Sequence, residues 1–131
     1  MKGVDTNVLI RYLVQDDKVQ TQKAIFFLEN ECNQKSPAFI TGIVLCELVW
    51  VLESAYEYHR EQIADVLEHI LRTRQFHIHE PDILWRALRG YKEAQADFSY
   101  HYIIHLNHEY GCDETVTFDK KAAKLPFATI L

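Results

Sequence analysis

Short strand-like segments alternate with helical segments along the whole chain, and this alternation constrains the fold more than any other feature. The segment 38–40 is apolar and too short for a helix, whereas 60–72 repeats apolar residues at helical spacing. Four glycines and three prolines among 131 residues leave little chain for long loops. The order β-α-α-β-α-α-β-α-α-β-α-β predicts a single α/β domain, residues 1–131, with a central, mostly parallel β-sheet flanked by α-helices.

The bounds of the predicted elements follow from where each pattern begins and ends. Pro81 suits the first turn of a helix, and Gly111 suits the residue after a helix end. The first predicted helix ends near residue 14, and the others cover 19–31, 43–57, 60–72, 81–94, 98–110 and 120–124. The predicted strands cover 2–4, 38–40, 76–79, 115–118 and 127–131.

Composition restricts the class of protein. Hydrophobic residues make up 48% and charged residues 25% of the chain, as in ordinary globular proteins. No apolar run is long enough to span a membrane and nothing resembles a signal peptide, so we expect a cytoplasmic protein without a membrane partner. The widely spaced Cys32, Cys46 and Cys112 are typical of thiols in a reducing compartment. A net charge of −5 argues against nucleic-acid binding through a basic surface, but not against an enzyme that handles nucleic acid through metal ions.

Two acids stand where a predicted strand passes into a helix. Asp5 follows the first strand, and Asp119 follows the strand 115–118. Carboxyl ends of parallel strands share one edge of a sheet, where ligands bind, so both acids are expected there. The alternative is that each acid is only a helix cap, since Asp is a preferred N-cap. Thr6 and Asn7 are also plausible caps for the first helix.

Two further acids extend this set. Glu47 is the only charged residue in the segment 43–52, which predicts a buried carboxylate that needs a cation or metal. The alternative is a Glu on a narrow exposed stripe. Asp97 precedes the last long helix and can both cap it and face a site. Four carboxylates without a cysteine cluster suit Mg²⁺ or Mn²⁺, and favour metal-assisted hydrolysis of a phosphodiester.

The histidines suggest a competing metal site. His101, His105 and His108 recur at helical spacing on one segment, and His77 and His79 share one face of a strand. A zinc site is conceivable, but no HExxH-like ligand set accompanies them. The alternative is that these histidines form a solvated or interfacial stripe beside several tyrosines, whose charge would change in mild acid.

Five motifs in order along the whole chain resemble those of the PIN-domain family, and within it the VapC-like toxins of bacterial toxin–antitoxin pairs. They are Asp5-Thr6-Asn7-Val8-Leu9-Ile10, Val44-Leu45-Cys46-Glu47-Leu48, Ala96-Asp97-Phe98, Gly111-Cys112 and Thr117-Phe118-Asp119. The resemblance implies an endoribonuclease with an acidic Mg²⁺ or Mn²⁺ pocket, a homodimer, and silencing by a cognate antitoxin protein. It places Asp5, Glu47, Asp97 and Asp119 in the metal pocket and makes Thr6 and Thr117 candidate orienting hydroxyls.

One residue departs from the family pattern. Family members usually carry a further acid three residues after Asp97, where this chain has Tyr100. Three residues are nearly one helical turn, so Tyr100 is expected to point towards the same pocket as Asp97. The loss of a principal metal ligand leaves open a degenerate PIN domain that binds antitoxin or RNA without cleaving.

Three basic residues are candidates for substrate binding. Arg11, Lys120 and Lys121 lie close in sequence to the acids and are candidates for contact with substrate phosphates. The alternative for these three is ordinary surface charge.

An aspartyl-phosphate phosphatase with Asp5 as nucleophile is a weaker hypothesis, because Asn7 stands where that class would carry a second acid.

Overall fold

Helices and strands follow one another in the order predicted from the sequence. The structure, a computed structural model, describes residues 1–131. It divides the chain into two units, Met1–His79 and Glu80–Leu131. The mixed α/β class and the parallel pairing of strands are confirmed. No helix combines the length and the apolar character needed to cross a lipid bilayer.

The first unit is a three-stranded parallel sheet with four helices. Strand β2 lies between β1 and β3, with Lys2 opposite Ala38 and Ala38 opposite Phe76. Ala38 and Ile40 are fully buried, so the central strand lies within the core of this unit. The elements are β1 (Lys2–Gly3), α1 (Thr6–Val14), α2 (Lys18–Phe26) with a π-helical turn (Phe27–Glu31), β2 (Ala38–Ile40), α3 (Gly42–Tyr56), α4 (Arg60–Arg72) and β3 (Phe76–Ile78).

The second unit pairs two helices and a two-stranded parallel sheet. Helices α5 and α6 pack against each other, and Gly111, at φ +98°, follows the end of α6 as the sequence predicts. The predicted helix 120–124 is only a 3₁₀ turn. The elements are α5 (Pro81–Glu93), α6 (Phe98–Glu109), β4 (Thr115–Thr117), the 3₁₀ turn (Ala122–Lys124) and β5 (Ala128–Ile130).

The strands form two hydrogen-bonded sheets, where a single central sheet was expected. Strands β1, β2 and β3 form one sheet and β4 with β5 the other. Strand β1 is only two residues long, and its ladder runs entirely to β2, through Lys2 N to Pro37 O and Val4 N to Phe39 O. Each sheet is therefore internal to one unit, and Asp5 and Asp119 follow strands of different sheets.

Helices α5 and α6 approach closely through one glycine and one histidine. His101 is only 2% exposed, which corrects the expectation of a solvated histidine stripe at this position. Its Nε2 lies 3.3 Å from the carbonyl oxygen of Ala94, and its ring makes an edge contact with Tyr91. A β-carbon at Gly90 would lie 2.7 Å from His101 Nδ1, so only glycine fits against this ring.

An ion-pair network joins α1 and α3 in the first unit. Arg11 Nη1 lies 3.0 Å from Asp16 Oδ1, and Arg11 Nε donates to Gln20 Oε1 at 2.6 Å. The Tyr56 hydroxyl at the end of α3 donates to Asp16 Oδ2 at 2.7 Å. This hydroxyl, followed by a backbone hydrogen bond and then the Arg11 charge, holds the pKa of Asp16 below its ordinary value against the opposing effect of desolvation.

The three cysteines are free thiols that differ in exposure. Cys32 is buried, Cys46 is half-buried and Cys112 is exposed. Burial raises the pKa of Cys46 to about 12, so its thiol stays protonated and unreactive near neutral pH.

We predict that Gly90→Ala destabilises the protein by about 1–3 kcal/mol, because the added methyl group overpacks the contact with the buried His101 ring. In an ordinary helix interior the same change stabilises by about 0.5–1 kcal/mol. Urea unfolding monitored by circular dichroism measures the difference. Gly3→Ala is the matched control, since no heavy atom lies within 4 Å of the position its β-carbon would take. A Gly90→Ala protein as stable as the parent would contradict the proposed contact.

We predict that Tyr56→Phe raises the pKa of Asp16 towards its ordinary value, because the principal hydrogen bond to the ionised carboxylate is lost. A depressed native pKa adds stability above the unfolded-state pKa of about 4, and this stability is lost as pH falls through the native pKa. The variant should therefore lose less stability between neutral and acidic pH than the parent. Carboxyl NMR titration measures the pKa. Tyr12→Phe, which removes a hydroxyl bonded to Glu29, should leave Asp16 unchanged.

Candidate functional site

Asp5 is the N-cap of α1, and only one of its two carboxylate oxygens is used for capping. Oδ1 accepts hydrogen bonds from the backbone N–H groups of Asn7, at 3.0 Å, and Val8, at 3.4 Å. The side chain is exposed and Oδ2 has no protein partner. Thr6 and Asn7 are not the caps that the sequence suggested: Thr6 is the buried first residue of the helix. Capping and ligand binding are therefore compatible at Asp5, because each uses a different oxygen.

Glu47 is exposed, so the expectation of a buried carboxylate was wrong. Helix α3 buries one side through residues that include Leu45, Leu48 and Leu52. The opposite face is uncovered although it is apolar, with Ile43 68% and Trp50 69% exposed. Positions 43, 47 and 50 share this face at i, i+4 and i+7. Glu47 thus lies between two exposed apolar side chains and has no hydrogen bond or ion pair.

In the first unit, α1 and α3 begin at the same edge of the sheet. Asp5 follows β1 and Thr41 follows β2, and these strands are parallel neighbours. Thr41 caps α3, since its Oγ1 accepts from Val44 N at 3.3 Å. Helix α1 also packs against α3, on which Glu47 lies in the second turn. Asp5 and Glu47 are therefore the two members of the predicted acidic site that belong to the first unit, Asp5 at this carboxyl edge and Glu47 further along α3.

Asp97 and Asp119 belong to the second unit. Asp97 occupies the N-cap position of α6 and is exposed, but its side chain makes no capping hydrogen bond. Asp119 is half-buried, and its Oδ1 accepts from Ala122 N at 2.8 Å. Its own N–H donates to Thr117 Oγ1 at 3.0 Å, which fixes the turn after β4. Thr117 thus holds the backbone that carries Asp119, and its role as a supporting hydroxyl stays a prediction.

Tyr100 lies one turn after Asp97, and its side chain is part of a small core. It is half-buried and packs against a cluster formed by Ala96, Ile104 and Leu125. Its hydroxyl group makes no hydrogen bond. An aromatic ring thus occupies position 100 of this helix, and it contributes packing rather than charge.

The basic candidates differ in how far they are available to a phosphate. The guanidinium group of Arg11 is held by Asp16, Gln20 and Tyr56, so a phosphate would have to compete with an existing ion pair. Lys120 and Lys121 are exposed and form no ion pair.

A cavity beside Asp5 brings in two residues that the sequence reasoning missed. It has a volume of about 350 Å³ and lies between α1 and α2, with Asp5, Arg11, Lys23 and Phe27 among its lining residues. Lys2 Nζ lies 5.8 Å from the centre of the Phe27 ring. Lys23 and Phe27 are four residues apart, which is the spacing of neighbours on one helix face. This spacing is the sequence feature from which their proximity could have been predicted.

The donor atoms suit a hard divalent cation, although the side chains form no complete metal site. Free carboxylate oxygens at Asp5, Glu47 and Asp97 are the ligands that Mg²⁺ and Mn²⁺ prefer. No group of three or more His, Cys, Asp or Glu side chains is arranged so that it could hold a metal ion. The conceivable zinc site of the histidines therefore finds no support, and the assignment of the four acids to a metal stays a prediction.

Comparison with known proteins identifies the family. The chain matches the PIN domain over residues 3–128. A curated VapC ribonuclease from Aquifex aeolicus (strain VF5) is 32% identical over 132 residues, an alignment that covers 99% of this chain and 96% of the relative. No solved structure matches the chain. A match over nearly the full length to the family and to this relative shows that the chain belongs to the PIN-domain family.

Proposed function

We propose that this protein is a VapC-like endoribonuclease, the toxin of a toxin–antitoxin pair, which hydrolyses RNA phosphodiester bonds with Mg²⁺ or Mn²⁺. The similarity to the VapC ribonuclease along nearly the whole of both chains carries this proposal. The capped strand-to-helix junction at Asp5 supports it, because a carboxylate with one fixed and one free oxygen is positioned without further rearrangement.

The proposed chemistry assigns each acid a task. Asp5, Glu47 and Asp119 are metal ligands or orient the attacking water, and Asp97 supplements them. When bound, a divalent ion lowers the pKa of a water and stabilises the oxygens of an in-line displacement at phosphorus. Thr117 acts on Asp119 through the backbone hydrogen bond described above, and the buried Thr6 supports the start of α1.

Substrate binding is proposed for the cations nearest the acids. Lys120 and Lys121 are free to contact phosphates, since neither is engaged in an ion pair. Lys23 and the Phe27 ring lie in the cavity that Asp5 also lines. They provide a positive charge and an apolar surface for the RNA chain. Arg11 supports this cavity while it is held by Asp16.

Protein partners are proposed on the exposed face of α3. Ile43 and Trp50 are apolar side chains largely open to water. Exposed apolar surface of this kind marks protein-binding sites. We propose that a cognate antitoxin and a second copy of this chain are the partners of the protein, and that it acts in the cytoplasm, where its RNA substrate would be found.

A degenerate PIN domain, which binds RNA or antitoxin without cleavage, is the second candidate function. The packing of Tyr100 against Ala96, Ile104 and Leu125 favours it, because this side chain provides no metal ligand at the position of the family's usual acid.

We predict that Asp5→Asn lowers RNA cleavage by more than roughly 100-fold, since even outer-shell partners of metal ligands typically contribute 10- to 100-fold. Asn is as good an N-cap as Asp, so the unfolding free energy should change by less than about 0.5 kcal/mol. The measurements are Mg²⁺- or Mn²⁺-dependent cleavage of labelled single-stranded RNA, Mn²⁺ binding by calorimetry, and urea unfolding.

Asp17→Asn is the matched control for this experiment. Asp17 caps α2 in the same way, with Oδ1 2.9 Å from Gln20 N, but belongs to no proposed site. It should retain full cleavage. Equal cleavage by the parent and Asp5→Asn would show that the activity comes from a contaminant and would overturn the nuclease proposal.

We predict that Tyr100→Asp increases Mn²⁺ affinity at least about 10-fold, because it adds an anionic ligand one helical turn from Asp97. It should also destabilise the protein by about 1–3 kcal/mol, since an aromatic side chain leaves the small core. Tyr100→Asn is the neutral control of equal size. If both variants bind Mn²⁺ no better than the parent, position 100 does not limit metal binding, and the argument for a degenerate site fails.

A further inference from the structure

The second unit contains a cavity that lies apart from the acids assigned above. It has a volume of about 340 Å³ and is bounded by α5, α6 and the segment before β5. Neither Asp97, Asp119 nor Tyr100 lines it. Its buried lining residues Ile104 and Leu125 are apolar, and its exposed lining residues include charged and aromatic side chains. A cavity of this size, mostly apolar with a few polar groups, is typical of small-molecule and nucleotide sites.

Phe127 is an aromatic residue that lines this cavity. Its ring stacks on His108, with ring centres 3.8 Å apart and an angle of 13° between planes. Phe127 lines the cavity and His108 does not, so Phe127 is the inner member of the stack. The ring is 44% exposed although its backbone adopts φ +66°, a conformation that is unusual for a bulky residue. The aromatic ring of Phe127 is therefore open to solvent, and its backbone is held in a strained conformation.

The cations of the rim are not equivalent. Arg86 is bound to Glu109, with Nη1 2.7 Å from Oε2. Arg89 lies one turn further along α5, is exposed and forms no ion pair, so its guanidinium group is free for an anion. Glu93 on the same rim restricts the negative charge that the cavity tolerates. Arg89 is therefore the one arginine of the rim without an ion pair, and it can contact one phosphate group.

His105 supplies a neutral polar group. It is half-buried on α6, and desolvation, assisted by the neighbouring charges of Arg86 and His108, lowers its pKa. The imidazole is therefore uncharged near neutral pH, with one donor and one acceptor nitrogen for a base or a ribose.

We propose that this cavity binds one unpaired nucleotide of single-stranded RNA, with the base against Phe127 and a phosphate on Arg89. Stacking on an aromatic ring beside a free arginine is the combination that single-stranded nucleic-acid sites use. The proposal rests on the proposed ribonuclease function and adds a contact that holds the RNA strand outside the acidic site.

The test measures RNA affinity without cleavage. Full-length Asp5→Asn protein is titrated into fluorescein-labelled single-stranded RNA, and anisotropy reports binding. We expect Arg89→Ala and Phe127→Leu, each added to this background, to bind about 5- to 100-fold more weakly, the range typical of one lost stacking contact. Arg74→Ala is the matched control, because Arg74 is an exposed, unpaired arginine of the first unit. Circular dichroism confirms that each variant is folded.

The outcomes separate this proposal from the ribonuclease function. Weaker binding in both cavity variants, with Arg74→Ala unchanged, supports the nucleotide site. Equal loss in Arg89→Ala and Arg74→Ala, with none in Phe127→Leu, shows only non-specific charge attraction and overturns it. Unchanged RNA affinity in both cavity variants also overturns it. In either case, RNA cleavage by the Asp5-containing parent is measured separately, and its presence or absence decides the proposed function alone.

Discussion

The free N–H groups at helix starts are the constraint on which the candidate site depends. A helix leaves its first amides without partners, and at three of the junctions between a strand and a helical segment a side chain supplies the acceptor. Asp5 provides it for α1, Thr41 for α3, and Asp119 for the 3₁₀ turn after β4. At Asp5, backbone geometry fixes one carboxylate oxygen and leaves the other exposed. The stability of the fold and the orientation of the candidate catalytic acid therefore come from the same hydrogen bonds.

Periodicity along the chain predicts most of the fold. The bounds of α4 and β2 agree with the predicted 60–72 and 38–40, because Ile63, Leu67 and Ile70 mark one buried helix face and β2 is apolar throughout. The ends of other elements shift by a residue or a few, as expected where helices fray or change pitch. The π-helical turn after α2 is one such change, which the helical pattern of the sequence does not reveal.

The candidate site was predicted less well, and for identifiable reasons. The apolar sequence of α3 predicts a helix that is buried on all its faces. Which faces are buried depends on the packing of the other elements, and Glu47 lies on a face that no other element covers. In α6 the error was the reverse: His101 looked like part of a solvated stripe, yet Gly90 on α5 leaves room for its ring to be buried. Both errors concern contacts between elements, which local sequence patterns do not encode.

The uncovered face of α3 has a consequence for any protein that binds there. Ile43 and Trp50 flank Glu47 on that face, so a partner that removes the two apolar side chains from water must also desolvate the carboxylate between them. Burial of an uncompensated carboxylate is strongly unfavourable. A partner can therefore gain from the apolar contact only if it brings a hydrogen-bond donor or a positive charge to the same spot. Many partners could match the shape of this face, but Glu47 restricts them to those that carry a hydrogen-bond donor or a positive charge at the matching position.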